Sequence, residues 1–211
     1  MKITELIKEM VNKSLNTVII GKRGSGKTCL GFELMRLHQV LGKRDCFILK
    51  YPNPKILPKF IKNVETFEDV PKNSVLLIDE AGIEFSQFKF NSKESKDFAD
   101  YLKVLRHNDT SCILITQSGA FLTRDIKRLI DAYFLKEPNI NQMFDEAGLI
   151  KRLYQNCWMF FKTEKAKKQG AYLFWDLHTA EFYFNKPPFW NEKISTAYST
   201  DNEVENISDI T

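Results

Sequence analysis

Short runs of β-branched and leucine-rich residues alternate with stretches whose apolar positions recur every three or four residues. That is the pattern of strands buried in a sheet between covering helices. Ile3, Leu6, Ile7 and Met10 share one face of a short helix predicted over residues 3–13. Residues 17–20 predict the first strand. A helix should follow from near Lys27 to about Leu41, with Leu30, Phe32, Leu34, Met35 and Val40 among its apolar positions, and Gly42 should stop it. Residues 46–50 predict a second strand, and Pro52, Pro54 and Pro58 exclude a long helix after it. Residues 74–79 predict a third strand, 92–105 a helix, 112–116 a fourth strand, 124–130 a short helix and 132–136 a fifth strand. Strands alternating with helices make a βαβ array with a parallel sheet, an α/β fold.

Beyond Pro138 the pattern changes. Residues 141–154 read as a helix. Three aromatic-rich runs follow, at 158–162, 172–175 and 182–184, joined by residues 165–170 and 177–179. They predict an antiparallel C-terminal extension of the sheet. From Asn191 the chain is polar, with isolated apolar residues. The expected organisation is one domain over residues 1–190 and a polar acidic C-terminal tail over 191–211. No internal repeat is visible.

Composition narrows the class. With 211 residues, 43% hydrophobic and 27% charged, the chain can bury the core of one globular domain. The net charge of +4 is uneven: residues 191–211 carry −4, which leaves +8 on the rest. A basic body suits a polyanionic partner, and equally a lysine-rich solvated surface. Cys29, Cys46, Cys112 and Cys157 lack metal-site spacing and read as reduced thiols of an intracellular protein. His38, His107 and His178 lack it too and read as structural. The N-terminus does not resemble a signal peptide, and no apolar stretch is long enough to predict a membrane span.

The chemistry starts at the end of the first strand. Residues 17–28 read Thr-Val-Ile-Ile-Gly-Lys-Arg-Gly-Ser-Gly-Lys-Thr. This is the Gly-x-x-x-x-Gly-Lys-Thr spacing of a phosphate-binding P-loop. Gly21, Gly24 and Gly26 should let backbone N–H groups converge on phosphate oxygens at a helix N-terminus. Lys27 should reach the β- and γ-phosphates, and the Thr28 hydroxyl should bind Mg²⁺. Gly21, Lys22, Arg23, Gly24, Ser25, Gly26, Lys27, Thr28 and Cys29 form the candidate nucleotide site. Lys22 and Arg23 add charge for phosphate or a neighbouring subunit. The run Val75-Leu-Leu-Ile-Asp-Glu supplies a second element. Asp79, expected beside the P-loop, can hold Mg²⁺ opposite Thr28, and Glu80 can polarise an attacking water. Gln117, ending the fourth strand, can sense the γ-phosphate or the water, or simply cap its strand.

These motifs, Walker A and Walker B, resemble a RecA/FtsK-like P-loop NTPase. The block Leu105-Arg-His-Asn-Asp-Thr-Ser-Cys-Ile-Leu-Ile-Thr-Gln117 resembles the FtsK/HerA-type DNA translocases, with Asp109 where that family has Gly. The resemblance covers about residues 15–137. It implies that Arg106 acts as an arginine finger on a neighbouring subunit's nucleotide, with Arg124 and Arg128 as alternatives. The compact size is similar to the genome-packaging ATPases of membrane-containing icosahedral viruses, nearest those of archaeal turreted icosahedral viruses. The block also resembles the ATPase part of Zot-like proteins of filamentous phages.

The resemblance implies an ATP- and Mg²⁺-dependent motor that moves viral double-stranded DNA into a capsid. It would work as a homo-oligomeric ring against a capsid or portal-vertex protein, in the host cytoplasm or with the virion or procapsid. Lys162, Lys165, Lys167 and Lys168, and Lys89 in a second basic and aromatic stretch, are candidate DNA contacts. Each is equally a solvated charge or a subunit contact. A Zot-like ATPase extruding single-stranded phage DNA, and a P-loop scaffold without catalysis, remain as alternatives. A small-molecule kinase is disfavoured, since no arginine-rich lid segment is apparent.

Overall fold

In the computed structural model the described residues are 2–79, 92–119, 122–144 and 148–197. The strands are β1 (Asn16–Ile20), β2 (Asp45–Leu49), β3 (Ile61–Val64), β4 (Ser74–Ile78), β5 (Ser111–Thr116), β6 (Ala132–Leu135), β7 (Gly170–Trp175) and β8 (His178–Tyr183). They form an eight-stranded sheet in the order β3-β2-β4-β5-β1-β6-β7-β8. Strands β1 to β6 are mutually parallel; β7 pairs antiparallel with β6, and β8 antiparallel with β7. The fold is therefore a mainly parallel sheet of P-loop NTPase type with an antiparallel C-terminal extension.

The helices are α1 (Ile3–Val11), α2 (Lys27–Gly42), α3 (Ser92–His107), α4 (Arg124–Lys127), α5 (Ile140–Phe144), α6 (Leu149–Cys157), α7 (Glu164–Gln169) and α8 (Glu192–Ser195). Successive strand residues serve opposite faces of the sheet. Ile19, Cys46, Ile48, Val75, Leu77, Ile113, Ile115 and Phe134 pack under α1 and α2. Their neighbours Val18, Ile20, Phe47, Leu76, Ile78, Leu114 and Leu135 pack with Phe98 and Leu102 of α3, Ile126 of α4, and Ile150 and Tyr154 of α6. Residues on both faces are buried, which is why β1, β4 and β5 read as continuous apolar runs.

Several elements differ from the sequence reading. Strand β3 was hidden among the prolines; it is short and reached through a 3₁₀ turn at Pro54–Ile56 rather than a helix. Gly42 is the last residue of α2, and the left-handed position after it belongs to Lys43 (φ 52°). Gly42 is needed for a different reason: a Cβ there would lie 2.9 Å from the Val11 carbonyl oxygen of α1. Residues 158–162 are not a strand but a 3₁₀ segment continuing α6. A helical path lets Cys157, Phe160 and Phe161 bury together with Tyr154, whereas strand alternation would turn one of the adjacent phenylalanines outward. The basic connection expected over residues 165–170 is helix α7, capped by the Thr163 hydroxyl accepting from the Ala166 N–H at 3.2 Å.

The chain also stays on the body past Asn191. Phe32 of α2 meets Tyr51 and Trp190 edge to face. Ile194 is buried, and its carbonyl accepts a hydrogen bond from the Tyr51 hydroxyl at 3.2 Å.

The four cysteines are free and buried, and burial pushes the Cys46 and Cys157 thiols up to about 12. His38 of α2 is buried with Arg44 nearby, and its pKa falls from 6.5 to about 3, chiefly through desolvation. The unfolded chain therefore binds a proton at His38 that the folded chain refuses between pH 6.5 and 3, so this contribution to stability is lost as pH falls. Urea unfolding of the parent and His38→Leu should show it. Between pH 6.5 and 5 the parent should lose about 2 kcal/mol relative to the variant. Parallel pH profiles would show that His38 carries no such linkage.

Candidate nucleotide site

The C-terminal ends of β1, β4 and β5 lie along one edge of the sheet. The segment after β1 turns through Gly24 (φ 73°) and Gly26 (φ 84°) into the N-terminus of α2. These two positions need glycine for their backbone angles. Gly21 does not: a Cβ there would lie 2.6 Å from Lys136 Cβ and 2.9 Å from Ser25 Oγ, so its constraint is close approach. The loop is held by Ser25 N donating to the Lys22 carbonyl at 3.3 Å. The Ser25 hydroxyl is buried without a hydrogen-bond partner among the described residues.

Lys27 is 8% exposed, and its Nζ reaches back across the loop to donate to the Lys22 carbonyl at 3.0 Å. That places an ammonium at the N-terminus of α2, where backbone N–H groups and the helix dipole also favour an anion. Lys22 itself is engaged with the neighbouring strand end. Its N–H donates to the Glu137 carbonyl at 2.9 Å, and its ammonium pairs with Glu137 at 2.8 Å. Arg23 and Gly24 are exposed, Thr28 is half-buried and Cys29 is buried. Burial raises the Cys29 thiol to about 11, against the opposing influence of Lys136.

Asp79 follows β4 and is 2% exposed. Strand β5 lies between β4 and β1. The arrangement still brings the three strand ends into line, because Ile20 pairs with Thr116 and Ile78 with Leu114. Thr28, in the first turn of α2, and Asp79, just after β4, carry hard oxygen donors, the ligand type that Mg²⁺ takes along with water and phosphate oxygens. Among the described residues no group of three or more His, Cys, Asp or Glu side chains could hold a metal by itself. Hydroxyl and carboxylate oxygens are donors of the kind that a nucleotide-borne magnesium ion takes. Glu80 and Lys89 lie outside the described residues.

Gln117, one residue past β5, is exposed at the same edge, and its carbonyl accepts from Gln142 Nε2 at 2.6 Å. Gln142 is buried in α5 and exchanges hydrogen bonds with Asn139 at 2.9 and 2.7 Å. Sequence reasoning missed Gln142, Lys136, Glu137 and Tyr154. The Tyr154 hydroxyl donates to the Ile20 carbonyl at 3.1 Å and so fixes the strand end that opens the loop. None of the four belongs to a local motif; a charge closing the run Ala-Tyr-Phe-Leu-Lys was the one visible hint.

Arg106 sits at the other end of the sheet. It is in the last turn of α3, ahead of β5, and its guanidinium pairs with Asp131 at 3.2 Å. With Lys13, Arg44 and Asp109 it lines a depression of about 580 Å³. The six residues of β5 separate it from Gln117, roughly 20 Å at the rise of a strand. Arg124 is exposed on α4 and Arg128 at its C-terminal cap, where it lies 3.8 Å from Asp125.

Lys162, Lys165 and Lys168 are exposed, and Lys167 pairs with Glu164 at 2.7 Å. Lys162 Nζ lies 4.2 Å from the centre of the Trp158 ring, and Lys165 Nζ 4.8 Å from that of Tyr183. Among the described residues no helix is long and apolar enough to cross a membrane.

The phosphate-loop geometry on this sheet defines a P-loop NTPase domain. The Zonular occludens toxin (Zot) family matches residues 11–137, more than half of the chain. The chain belongs to that family. No curated protein matches it in sequence. Among solved structures, the pCW3 conjugation coupling protein TcpA, in a monomer form with ATPγS, is similar at 11% identity and TM-score 0.56, over 89% of this chain and 65% of that one. The chain thus spans just under two thirds of that protein's length. The DNA-packaging ATPase B204 of Sulfolobus turreted icosahedral virus is similar at 18% identity and TM-score 0.54, over 82% of this chain and 100% of that one. The genome-packaging NTPase B204 of Sulfolobus turreted icosahedral virus 2, in complex with ATPγS, is similar at 15% identity and TM-score 0.57, over 82% and 98%. At these identities the likeness is one of fold.

Proposed function

We propose that the chain is a Mg²⁺-dependent ATPase that drives DNA movement as a homo-oligomeric ring, with packaging of viral double-stranded DNA into a capsid as the first reading. One observation carries it: the nucleotide edge holds Lys27, Thr28, Asp79 and Gln117, whereas Arg106 lies at the opposite end of the sheet. A site so divided is completed by the Arg106 of an adjacent copy. The bound magnesium ion would supply charge neutralisation between the phosphate oxygens. Lys27 and the loop N–H groups hold the phosphates, Thr28 and Asp79 hold the metal, and Glu80 accepts a proton from the attacking water. The guanidinium of Arg106 stabilises charge on the neighbour's γ-phosphate. Lysines of residues 162–168 and Lys89 grip DNA phosphates without reading sequence.

Packaging is supported by the fold shared with two proteins named as packaging enzymes, each overlaid over nearly its whole length. The second reading, a Zot-like ATPase extruding single-stranded phage DNA, is favoured by the family match over residues 11–137. ATP hydrolysis measured across protein concentration, with double-stranded and then single-stranded DNA, tests both. Stimulation by the duplex above a concentration threshold supports packaging, and stimulation by single strands alone supports the Zot-like reading. Hydrolysis independent of concentration and of any DNA would end the ring-motor proposal, and no hydrolysis at all would leave a scaffold.

Glu80→Gln should retain ATP binding while turnover falls by about 10²–10⁴, the range for loss of a general base. Turnover at the parent rate would remove Glu80 from that role.

A further inference from the structure

Lys136, directly after β6, is a lysine with no exposed surface. Its backbone N–H donates to the Ile20 carbonyl at 2.8 Å, so its main chain is zipped to the start of the phosphate loop. Its side chain then runs beneath that loop. Lys136 Cβ lies 2.6 Å from where a Gly21 Cβ would be. Its Cε and Nζ lie 3.9 and 4.0 Å from where a Gly26 Cβ would be. The ammonium ends at the Gly170 carbonyl, 2.6 Å away, and 4.8 Å from the centre of the Phe184 ring. Burying an unneeded ammonium is costly, and an apolar residue of similar shape would pack here without that cost. Gly170 in turn caps α7, donating its N–H to the Ala166 carbonyl.

We propose that Lys136 is a positioning residue of the nucleotide site, a buried second cation beneath the P-loop that braces Gly21–Gly26 against the α7–β7 junction and favours a polyphosphate on the loop's other side. This rests on the nucleotide-site reading above. The Lys136 ammonium lies against the loop backbone, 4.0 Å from where a Gly26 Cβ would be. A unit charge at such range in a protein interior changes anion affinity about tenfold or more. The brace reaches the basic helix directly, because the residue that holds the ammonium is the one that ends α7.

Three titratable groups face Lys136: Lys27 and Cys29 from α2, and Glu137 beside it in the chain. Desolvation brings the Lys136 pKa down from 10.5 to about 8, with Lys27 lowering it further and Glu137 and Cys29 opposing. Lys136 is therefore charged at pH 7 and loses its charge as pH rises through about 8. A bound polyphosphate raises that pKa again, so binding near pH 8.5 takes up a proton.

The test uses the full chain and a fluorescent ATP analogue with Mg²⁺, titrated from pH 6.5 to 9.5. The parent should lose about tenfold in affinity between pH 7 and 9.5. Lys136→Met should bind about tenfold more weakly at pH 7 and show no such fall. Calorimetry of the parent at pH 8.5, in two buffers of different ionisation enthalpy, should show net proton uptake, a readout that needs no variant. A parent whose affinity is flat with pH, with no proton uptake, overturns the proposal, and so does a folded Lys136→Met with parental affinity and pH profile. If the parent fails to bind the analogue at pH 7, the nucleotide-site reading falls and this inference with it.

Discussion

Lys27→Ala should abolish nucleotide-dependent activity while leaving the fold intact. The Lys27 ammonium reaches back across the loop and donates to the Lys22 carbonyl. A phosphate oxygen offers it a stronger, charge-assisted acceptor in the same place. Removing it takes one preorganised cation from the group being transferred, a change worth about 10²–10³ in rate. The loop keeps its shape from Gly24, Gly26 and the Ser25–Lys22 hydrogen bond, none of which needs the ammonium. Thermal unfolding without nucleotide should therefore move little, and the stabilisation of the parent by saturating Mg·ATP should vanish in the variant. Phosphate release and the nucleotide-induced melting shift measure the two halves. Parental hydrolysis by Lys27→Ala would place the chemistry elsewhere.

The phosphate loop was legible because its constraints are local. Two glycines at fixed offsets, a lysine and a threonine must follow a strand in sequence for the loop to form. The central strands were legible for a similar reason, since burial on both faces leaves unbroken apolar runs such as Ser-Val-Leu-Leu-Ile in β4. What could not be read depended on partners distant in sequence. Gly21 looked like a turn glycine, but its constraint is Lys136, brought beside it by the pairing of β1 with β6. Lys136 closed the predicted fifth strand with a charge and is wholly buried, because β7 pairs alongside β6 at that end. The aromatic run at 158–162 had strand-like composition. Its true state follows from Phe160 packing against Phe161, Tyr172 and Tyr183, contacts that a helical turn provides.

The same logic explains why the placement of Asp79 was half legible. An acidic residue ending an apolar strand marks a sheet edge, but strand order is a tertiary property. Insertion of β5 between β1 and β4 puts Gln117 between the loop and the carboxylate. Both neighbours of β5 then contribute to one edge, and a polar residue just past its end faces whatever that edge holds. The charged helix α7 was read as a basic connection because three lysines in five residues resemble solvent-facing chain. Ala166, its single buried residue, is too small to signal an amphipathic face.

Arg106→Ala should reduce ATP hydrolysis by about 10³–10⁵, the worth of an arginine finger, with nucleotide binding by the isolated chain unchanged. Arg106 is too far from its own loop to act there, because β5 spans roughly 20 Å between the two ends of the sheet. The ion pair with Asp131 at 3.2 Å has an arginine that is about half exposed, so its loss costs little stability. Complementation separates action in trans from any indirect effect. An Arg106→Ala subunit has an intact loop and no finger, and a Lys27→Ala subunit has the reverse. Each is inactive alone, but in mixed rings about a quarter of the head-to-tail interfaces unite an intact loop with an intact finger. Activity should therefore return on mixing, in proportion to that fraction. Arg124→Ala and Arg128→Ala serve as parallel arms, since either residue could reach a neighbour from the exposed surface of α4. If one of them behaves in this way and Arg106→Ala hydrolyses at the parent rate, the finger belongs to α4. If mixing restores nothing for any of the three, the division of the site between subunits is wrong, and each chain must complete its own.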